Sequence, residues 1–235
     1  MERKPLPGFL QKPLIVVTGL LAEARIVCGD DVIVMCGGGD STRLIRDIRA
    51  RAASGACGIL SFGIAGGLAP GFRPGTCVIA SAIVDMRQNG TRTWPADAAW
   101  NARLHRLLPD AKGGILAGID KPAATALEKA ALGHICAAVA VDMESHLAAK
   151  LALAVGLPFA ALRVVADTAG TDLPPAALVG MRPDGGSDMA AVLLSLARQP
   201  RQLPALIRLA LDVRKALARL RQCRLVLGSR FACDI

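Results

Sequence analysis

The stretch Val141-Asp142-Met143-Glu144-Ser145 is the point around which the predicted fold is organised. An apolar run over residues 135–141 leads into it, and a segment rich in Ala and Leu, residues 146–154, follows it. The first segment is typical of a buried strand and the second of a helix. The carboxylates of Asp142 and Glu144 therefore lie where a strand gives way to a helix, which is where α/β sheets bind ligands. Taken alone, the stretch is also explained by Asp142 as a helix cap and Glu144 as a charge near the helix N-terminus.

Strands and helices alternate on both sides of this stretch. Short apolar runs predict further strands at residues 14–18, 31–36, 57–62, 77–84, 114–119 and 159–166. Helical patterns lie at residues 20–27, 41–53, 97–109, 123–132, 189–197 and 203–227, with a loop or hairpin at 86–94 and a Pro- and Gly-rich loop at 172–188. This alternation predicts an α/β fold, a three-layer α/β/α sandwich around a central mixed β-sheet. We expect residues 1–235 to form a single domain that ends in a basic amphipathic helix, residues 203–227.

The composition favours a large packed core. Of the 235 residues, 53% are hydrophobic and 20% are charged, which suits one globular α/β domain rather than a disordered chain. Aromatic residues make up only 3%, and there is no Tyr. Because proteins bind single-stranded nucleic acids largely by stacking bases on aromatic rings, the net charge of +9 does not predict a nucleic-acid-binding protein.

The seven cysteines, at positions 28, 36, 57, 77, 136, 223 and 233, include no CxxC pair. The usual zinc and thioredoxin signatures are therefore missing, and we expect neither a metal nor a cofactor. An odd number of cysteines, mostly inside apolar runs, predicts reduced and buried thiols in a cytoplasmic protein. The N-terminal residues lack the apolar core of a secretory signal, and no uncharged apolar run reaches the roughly 20 residues of a membrane span.

Much of the positive charge lies after Arg198. The basic residues of this segment are Arg201, Arg208, Arg214, Lys215, Arg219, Arg221, Arg224 and Arg230. On residues 203–227 they surround an apolar helix face, and such a face usually packs on its own domain or on the second subunit of a homodimer or larger homo-oligomer. The alternative is peripheral contact with an anionic membrane surface, which would place the cytoplasmic protein at the inner membrane.

Two glycine-rich segments follow predicted strands. Gly37-Gly38-Gly39 precedes a helix, as phosphate-binding loops do, but neither the GxGxxG pattern nor a Walker lysine accompanies it. A plain tight turn is the favoured explanation of this segment. Gly63-Ile64-Ala65-Gly66-Gly67 brings bare backbone to a strand end, where it either approaches a flat ligand or allows close packing. Both interpretations of each segment remain open at this level.

Three carboxylates follow strands that lie far apart in the sequence: Glu23, Glu144 and Asp167. If the ends of these strands meet at one rim of the sheet, the three groups come together, with Arg163 nearby. One protonated and one ionised carboxyl group are what general acid–base cleavage of a glycosidic bond requires. Each acid also has a structural explanation, as a charge in the first turn of a helix for Glu23 and Glu144 and as a loop turn for Asp167.

The sequence resembles the superfamily of nucleoside phosphorylases and nucleosidases, which includes the methylthioadenosine/S-adenosylhomocysteine nucleosidases. The resemblance covers most of residues 14–170. It rests on four stretches in the family's order, residues 19–23 (GLLAE), 63–70 (GIAGGLAP) with Gly75, 141–144 (VDME) and 163–168 (RVVADT). It implies a nucleoside phosphorylase-like α/β/α fold and an enzyme that cleaves the N-ribosyl bond of a purine nucleoside, either a nucleosidase or a nucleoside phosphorylase.

The resemblance also implies roles for individual residues. Asp167 matches the general acid that protonates the leaving base, and Glu23 matches the group that activates the attacking water. Glu144 matches the carboxylate that binds the ribose hydroxyls, a role that suits an ionised acceptor. The other residues expected to bind the substrate are Met143 against the sugar, Arg163 beside the acids, and Gly63, Ile64 and Ala65.

Two departures from the family pattern favour hydrolysis over phosphorolysis. At the position of Glu23 the bacterial phosphorylases carry a phosphate-binding arginine, and a carboxylate there would repel phosphate. At the position of Ile64 the family usually carries a hydroxyl group that binds phosphate or sugar, which isoleucine cannot do. Arg25 and the Gly37-Gly38-Gly39 loop keep phosphate-dependent cleavage as the alternative.

Within the superfamily the sequence is similar to the branch called hopanoid-associated phosphorylases, which are thought to remove adenine from adenosylhopane in hopanoid biosynthesis. The similarity rests on residues 17–20, 89–94 and 141–145. It implies a lipid-linked adenine nucleoside as substrate. The alternatives are a methylthioadenosine/S-adenosylhomocysteine nucleosidase and a non-catalytic nucleoside- or lipid-binding protein of the same fold. Glu23, Glu144 and Asp167 together disfavour the non-catalytic alternative, because binding alone does not require an acid beside a base.

Overall fold

The computed structural model describes residues 12–37, 41–53, 55–86, 92–180, 182, 185–186 and 188–233. Gly38 and Gly39 of the first glycine-rich segment lie outside these residues, as do residues 87–91 of the predicted loop or hairpin. In the described part of the chain the strands are β1 (Leu14–Thr18), β2 (Val32–Cys36), β3 (Gly58–Gly67), β4 (Cys77–Asp85), β5 (Arg92–Pro95), β6 (Lys112–Gly118), β7 (Ala138–Asp142) and β8 (Phe159–Asp167).

The helices alternate with these strands. They are α1 (Leu21–Val27), α2 (Ser41–Ala53), α3 (Ala98–Leu107), α4 (Ala126–Cys136), α5 (Ser145–Ala154), α6 (Pro175–Val179), α7 (Met189–Arg198) and α8 (Leu203–Leu227). Side chains that accept hydrogen bonds from free N–H groups set where several of them begin. Asp97 accepts a bond of 2.7 Å from the N–H of Trp100 at the start of α3. Thr125 and Glu128 form a capping box at the start of α4.

The strands form a mixed sheet in which β1 pairs in parallel with β2 and β3, and β3 pairs in parallel with β8. Beyond β8 the order continues through β4 and β6 to β7, with β4 antiparallel to β8 and parallel to β6. Strand β7 returns to β3 through two antiparallel pairs, Gly66 with Val141 and Gly67 with Ala140. The pairings of β3, β8, β4, β6 and β7 therefore close a ring, and β5 lies at the outer edge beside β4.

Helices cover both faces of the sheet. Along β1, Leu14 and Val16 pack into one core cluster, whereas Ile15 and Val17 pack into another, because strand side chains alternate between the two faces. The first cluster includes residues of α3 and α8, and the second includes residues of α2 and α5. The predicted three-layer α/β/α sandwich around a mixed sheet is confirmed.

Strand β3 is longer than the sequence predicts. The prediction ended the strand at residue 62, whereas β3 continues through Gly67. Its glycines are paired, since Gly63 is in register with Arg163 of β8 and Gly66 with Val141 of β7. Glycine has a low β-propensity, but β8 and β7 pair with this backbone and keep it extended.

Several other boundaries differ from the prediction. The apolar run at 135–141 is divided between the end of α4 and the start of β7, and Ala137 between them has a left-handed φ of 50°. Apolar composition alone does not distinguish the last turn of a helix from the first residues of a strand. The predicted loop at 172–188 contains the short helix α6, and the predicted loop or hairpin at 86–94 contains the beginning of β5.

The two halves of the C-terminal helix α8 have different environments. The buried residues of its second half are Ala216, Leu220, Cys223 and Leu227. The exposed large hydrophobic residues of its first half are Leu203, Ile207 and Leu211. The second half therefore packs on its own domain, as most such helices do. Within the described ranges, no helix combines the length and the apolar character that crossing a membrane requires.

None of the seven cysteines forms a disulfide bond. Four of them are buried, two are half-buried, and Cys28 is exposed. The sulfur atoms of Cys57 and Cys233 lie 3.5 Å apart, and those of Cys77 and Cys223 lie 3.9 Å apart. The thiols are therefore unpaired by disulfide bonds and mostly shielded from solvent, as their positions in apolar runs predict.

Candidate active site

The carboxyl ends of several strands meet on one side of the sheet. Strands β1, β3 and β8 run parallel and therefore end in the same direction. Strand β7 runs opposite to β3, but the two overlap only in their last residues, so the end of β7 at Asp142 reaches the same rim. Glu23 on α1 and Glu144 before α5 follow two of these ends. Glu23 and Glu144 therefore lie around Arg163, as their positions in the sequence predict. Asp167, at the end of β8, pairs with Lys129 instead.

Arg163 of β8 is the centre of a buried charged cluster. Its Nε lies 2.8 Å from Asp142 Oδ2, and its Nη2 lies 3.5 Å from Glu144 Oε2. Nη2 also donates a hydrogen bond of 2.5 Å to Ser61 Oγ. Burial lowers the pKa of this guanidinium, but the charges of Asp142, Glu144 and Glu23 outweigh that effect and raise it. Arg163 therefore stays charged without contact with solvent because carboxylates surround it.

Asp142 belongs to both the helix and the charged cluster. Its Oδ1 accepts hydrogen bonds from the backbone N–H groups of Glu144, at 3.2 Å, and Ser145, at 2.9 Å. Its Oδ2 contacts Arg163 and accepts a hydrogen bond from the Ser145 hydroxyl. Asp142 thus accepts hydrogen bonds from N–H groups at the start of the helix, although the N-cap position of α5 is Glu144, and the same carboxylate also neutralises Arg163.

Glu23 is held mainly by backbone groups. Its Oε2 accepts hydrogen bonds from the N–H groups of Gly19, at 2.8 Å, and Leu20, at 2.9 Å, and its Oε1 accepts one from Ile64, at 2.7 Å. The side chain thereby joins the end of β1 to the glycine-rich part of β3. Burial raises the pKa of Glu23, whereas Arg163 and the three N–H groups act in the opposite direction. The net effect is a raised pKa, because burial outweighs the four groups that favour the ionised form.

Among the described residues, Glu144 makes fewer contacts than Glu23 does. Its Oε2 makes the 3.5 Å contact with Arg163, and its side chain is 11% exposed. Burial raises the pKa of Glu144 to about 7, with Arg163 lowering it and the neighbouring Asp142 and Glu23 raising it further. At neutral pH the group is therefore divided between its protonated and ionised forms, and its oxygens retain capacity to accept hydrogen bonds from a ligand.

Two glycines make room for this cluster. A Cβ atom at Gly63 would lie 2.6 Å from both Glu23 Oε1 and Arg163 Nη1. A Cβ atom at Gly19 would lie 2.6 Å from Glu144 Oε1. Packed atoms do not approach so closely, so any side chain at either position would displace the charged groups. The glycine-rich segment of β3 therefore permits close packing, which is one of the two interpretations that the sequence left open.

Asp167, at the end of β8, has a different cation partner. It forms an ion pair with Lys129 of α4, and both side chains are buried. Burial raises the pKa of Asp167, and Lys129 opposes that rise through its hydrogen bond and its charge. The structure therefore provides a carboxyl group with a raised pKa, as a general acid requires, and a partner that sequence analysis missed.

Helical periodicity contains a signal that would have identified Lys129. Residues Leu132, Gly133 and Cys136 follow it at spacings that share one side of a helix, and they are half-buried or buried. A lysine on the inward side of a helix requires a buried partner. Ser61 and Ser145, which contact Arg163 and Asp142, were also missed. Serine in a strand or at a helix start is too common to signal a site.

The remaining predicted residues lie in the same region. Gly63, Ile64 and Ala65 belong to β3, where the carbonyl oxygen of Ile64 accepts a hydrogen bond of 3.4 Å from Arg163 Nη1. Met143 is half-buried beside Glu144. Their contacts with a substrate stay predictions. Among the residues that the structure describes, no group of three or more His, Cys, Asp and Glu side chains is arranged to hold a metal ion.

Buried carboxyl groups with raised pKa values at the strand ends of an α/β sheet suit acid–base chemistry. The sequence profile described as the phosphorylase superfamily matches residues 14–198. This match covers well over half of the chain, which therefore belongs to the phosphorylase superfamily. The predicted class of enzyme, a nucleosidase or nucleoside phosphorylase, is confirmed at the level of this superfamily. No curated protein sequence matches the chain significantly.

Several solved structures share the fold. The 5′-methylthioadenosine/S-adenosylhomocysteine nucleosidase of Streptococcus pneumoniae has a TM-score of 0.66 at 15% identity, covering 94% of this chain and 100% of that chain. The corresponding nucleosidase of Helicobacter pylori has a TM-score of 0.63 at 15% identity, covering 90% and 97%. Futalosine hydrolase of Helicobacter pylori has a TM-score of 0.61 at 17% identity, covering 80% and 98%. At such identities the likeness shows the fold.

Proposed function

We propose that the protein is a nucleosidase that hydrolyses the N-ribosyl bond of a purine nucleoside, with adenine as the base. The observation that carries the proposal is that three carboxyl groups in three different environments follow strand ends. Backbone N–H groups orient Glu23, Glu144 retains acceptor capacity, and the pKa of Asp167 is raised by burial. Different environments give chemically similar groups different roles.

In the proposed reaction, Asp167 donates a proton to N7 of the base as the C1′–N9 bond breaks and its electron pair stays with the base. Glu144 accepts hydrogen bonds from the ribose hydroxyls, and Met143 packs against the sugar. Glu23 accepts a proton from the water that adds to C1′. Arg163 stabilises the carboxylates around the sugar. The products are the free base and the sugar with a hydroxyl group at C1′.

The charges of the site support water rather than phosphate as the nucleophile. Glu23, Asp142 and Glu144 surround the guanidinium of Arg163, so a phosphate dianion entering this cluster would meet more carboxylates than cations. Glu23 is buried, whereas Arg25, the residue that kept phosphorolysis as an alternative, is exposed on α1. The alternative of a phosphate-dependent purine nucleoside phosphorylase therefore has less support than hydrolysis.

Mass spectrometry of the products from adenosylhopane and from 5′-methylthioadenosine, in phosphate-free and in phosphate buffer, tests this proposal. The latter nucleoside occupies the active site of a variant Helicobacter pylori nucleosidase of the same fold. We expect free adenine, and from methylthioadenosine also 5-methylthioribose, at the same rate in both buffers. Strict dependence on phosphate, with the sugar 1-phosphate as product, would make the protein a phosphorylase. If methylthioadenosine, adenosine and adenosylhopane all remained intact, the protein would be a binding protein instead.

We further propose that the substrate is adenosylhopane, an adenine nucleoside joined to a lipid. It is supported by an apolar region that we call the α7–α8 surface. Helix α7 has no buried residue. The exposed large hydrophobic residues of the surface are Met189, Leu193, Leu194, Leu203, Ile207 and Leu211. The exposed arginines of the same two helices and their connection include Arg198, Arg201, Arg208 and Arg214.

The α7–α8 surface suits an anionic membrane because it combines apolar side chains with cations. The segment that precedes it lies beside the site, since the carbonyl of Gly185 accepts a hydrogen bond of 3.1 Å from the N–H of Leu21. A nucleoside carried by a membrane lipid would then meet the acids close to the bilayer. In a homodimer, pairing this surface with itself would bring its arginines together, which favours the membrane as the occupant.

Co-sedimentation with vesicles tests the membrane contact. Vesicles containing phosphatidylglycerol should retain the protein, and Leu193→Glu should weaken that binding because it places a carboxylate in the apolar surface. Leu225→Glu is the matched control, since Leu225 is 82% exposed but lies in the second half of α8. A stable dimer in light scattering that Leu193→Glu dissociates, without binding to vesicles, would identify the surface as a subunit interface and contradict the membrane contact.

A further inference from the structure

Lys129 is a buried charge that the proposed reaction does not yet use. Its Nζ donates hydrogen bonds to Asp167 Oδ2 and to the carbonyl oxygens of Thr168, at 3.1 Å, and Thr171, at 2.6 Å. These acceptors match the three N–H donors of an ammonium group. The side chain of Lys129 is 1% exposed, so it is held in one orientation by partners from a single segment of the chain.

The ion pair makes the two oxygens of Asp167 unequal. Oδ2 faces Lys129, whereas no hydrogen bond to Oδ1 is found among the described residues. A Cβ atom at Gly66 would lie 3.4 Å from Oδ2 and 3.6 Å from Oδ1, so bare backbone of β3 runs beside the carboxyl group. Oδ1 is therefore the oxygen that is able to carry a proton and present it to a ligand.

Lys129 also connects the loop after β8 to α4. Two of its acceptors are carbonyl groups of that loop. The loop makes further bonds to the helix start, because Asp172 Oδ1 accepts from the N–H of Ala126 at 2.7 Å and the N–H of Leu173 donates to the carbonyl of Ala124 at 2.7 Å. Asp167 is thus fixed from its strand on one side and through Lys129 from α4 on the other.

We infer that Lys129 is the positioning residue of the general acid, holding Asp167 Oδ2 so that the protonated Oδ1 is directed at the leaving base. The inference rests on the proposed function, since it assigns Lys129 to the acid of that reaction. The proton moves from Oδ1 to N7, the electron pair of the C1′–N9 bond stays on the base, and Asp167 becomes a carboxylate paired with the Lys129 ammonium. After the base leaves, Asp167 takes a proton from solvent.

The charges around Asp167 fix the direction of the expected effects. Burial raises the pKa of Asp167, Lys129 lowers it, and Asp212 of α8 raises it. Removing the charge of Lys129 must therefore raise the pKa further. The protonated form then persists to higher pH, so the alkaline limb of the kcat/KM profile moves upward in pH. Because the remaining carboxylate loses its counter-ion, kcat falls at the same time.

Lys129→Met and Lys129→Gln test the inference, because both remove the charge. Lys129→Gln keeps a hydrogen-bond donor, in case the protein does not fold without one. The first readout is the titration of the Asp167 carboxyl carbon by ¹³C NMR in the ligand-free protein, assigned by its loss in Asp167→Asn. We expect the midpoint of this titration to rise by about one pH unit or more in both variants. The second readout is the pH profile of kcat and KM for 5′-methylthioadenosine, with kcat lower by about 10-fold or more and KM little changed.

Two controls separate charge from packing. Lys129→Arg keeps the charge and should restore the wild-type midpoint. Asp172→Ala loosens the same loop but keeps the ion pair, so its midpoint should match that of the wild type. An unchanged midpoint in both neutral variants, or an equal rise in Asp172→Ala, would overturn the role of Lys129 and leave the nucleosidase intact. A wild-type protein that cleaves no nucleoside would overturn the proposed function and this role with it.

Discussion

Asp167→Asn should lower kcat for nucleoside cleavage by about 10²- to 10⁴-fold, the contribution of general acid catalysis. Asparagine keeps the size of the side chain and an oxygen that accepts a hydrogen bond from Lys129, but it has no proton that it can transfer. Binding of 5′-methylthioadenosine, measured by isothermal titration calorimetry, should be largely unchanged. The alkaline limb of the wild-type pH profile should disappear, because burial raises the pKa of Asp167 and its loss of a proton ends activity.

Asp172→Asn is the control for this variant. Asp172 lies in the same loop, is exposed, and accepts its hydrogen bond from the N–H of Ala126 through an oxygen that asparagine retains. Its turnover should equal that of the wild type. If Asp167→Asn also kept wild-type turnover, Asp167 would not be the acid, and the proton would have to come from Glu144 or Glu23.

Arg163→Met should destabilise the protein strongly, lowering the free energy of unfolding by about 3–5 kcal/mol. Methionine fills much of the same volume without a charge. The carboxylates of Asp142 and Glu144 would remain buried beside an apolar group. The Ser61 hydroxyl would also lose the hydrogen bond of 2.5 Å that Arg163 donates to it. Urea denaturation near pH 8, above the wild-type pKa of about 7 for Glu144, measures the loss.

The loss in Arg163→Met should become smaller as the pH falls. Burial raises the pKa of Glu144 to about 7 even though Arg163 lowers it, so without Arg163 the pKa rises further. A carboxyl group whose pKa is raised on folding contributes stability below that pKa and loses this contribution as the pH rises through it. The difference in unfolding free energy from the wild type should therefore be smaller at about pH 5 than at about pH 8.

Arg219→Met is the matched control for Arg163→Met. Arg219 lies 2.6 Å from Asp110 in a pair whose side chains are 22% and 67% exposed. Such exposed pairs contribute about 0–1 kcal/mol, and we expect a loss within that range. Equal losses in the two arginine variants, or a loss in Arg163→Met that does not change with pH, would contradict the central place of Arg163 in the charged cluster.

Local patterns in the sequence predict most of the element order. The β-branched run at residues 14–18 and the apolar periodicity at 203–227 match β1 and α8, because strand and helix patterns depend on neighbouring residues. The predicted strand ends at residue 62, whereas β3 continues through Gly67, since the strand character of this glycine-rich end comes from pairing with β7 and β8. Those partners lie far along the chain and leave no signal within residues 63–67.

The sequence by itself determined the fold class and the acids that follow the strand ends, Glu23, Glu144 and Asp167. Only the tertiary structure decided which cation each acid meets and how strongly it holds its proton. Lys129 and Asp167 are separated by 38 residues, and they meet because α4 packs beside the end of β8. A pKa depends on burial and on the distance to other charges, and neither quantity exists until the chain has folded.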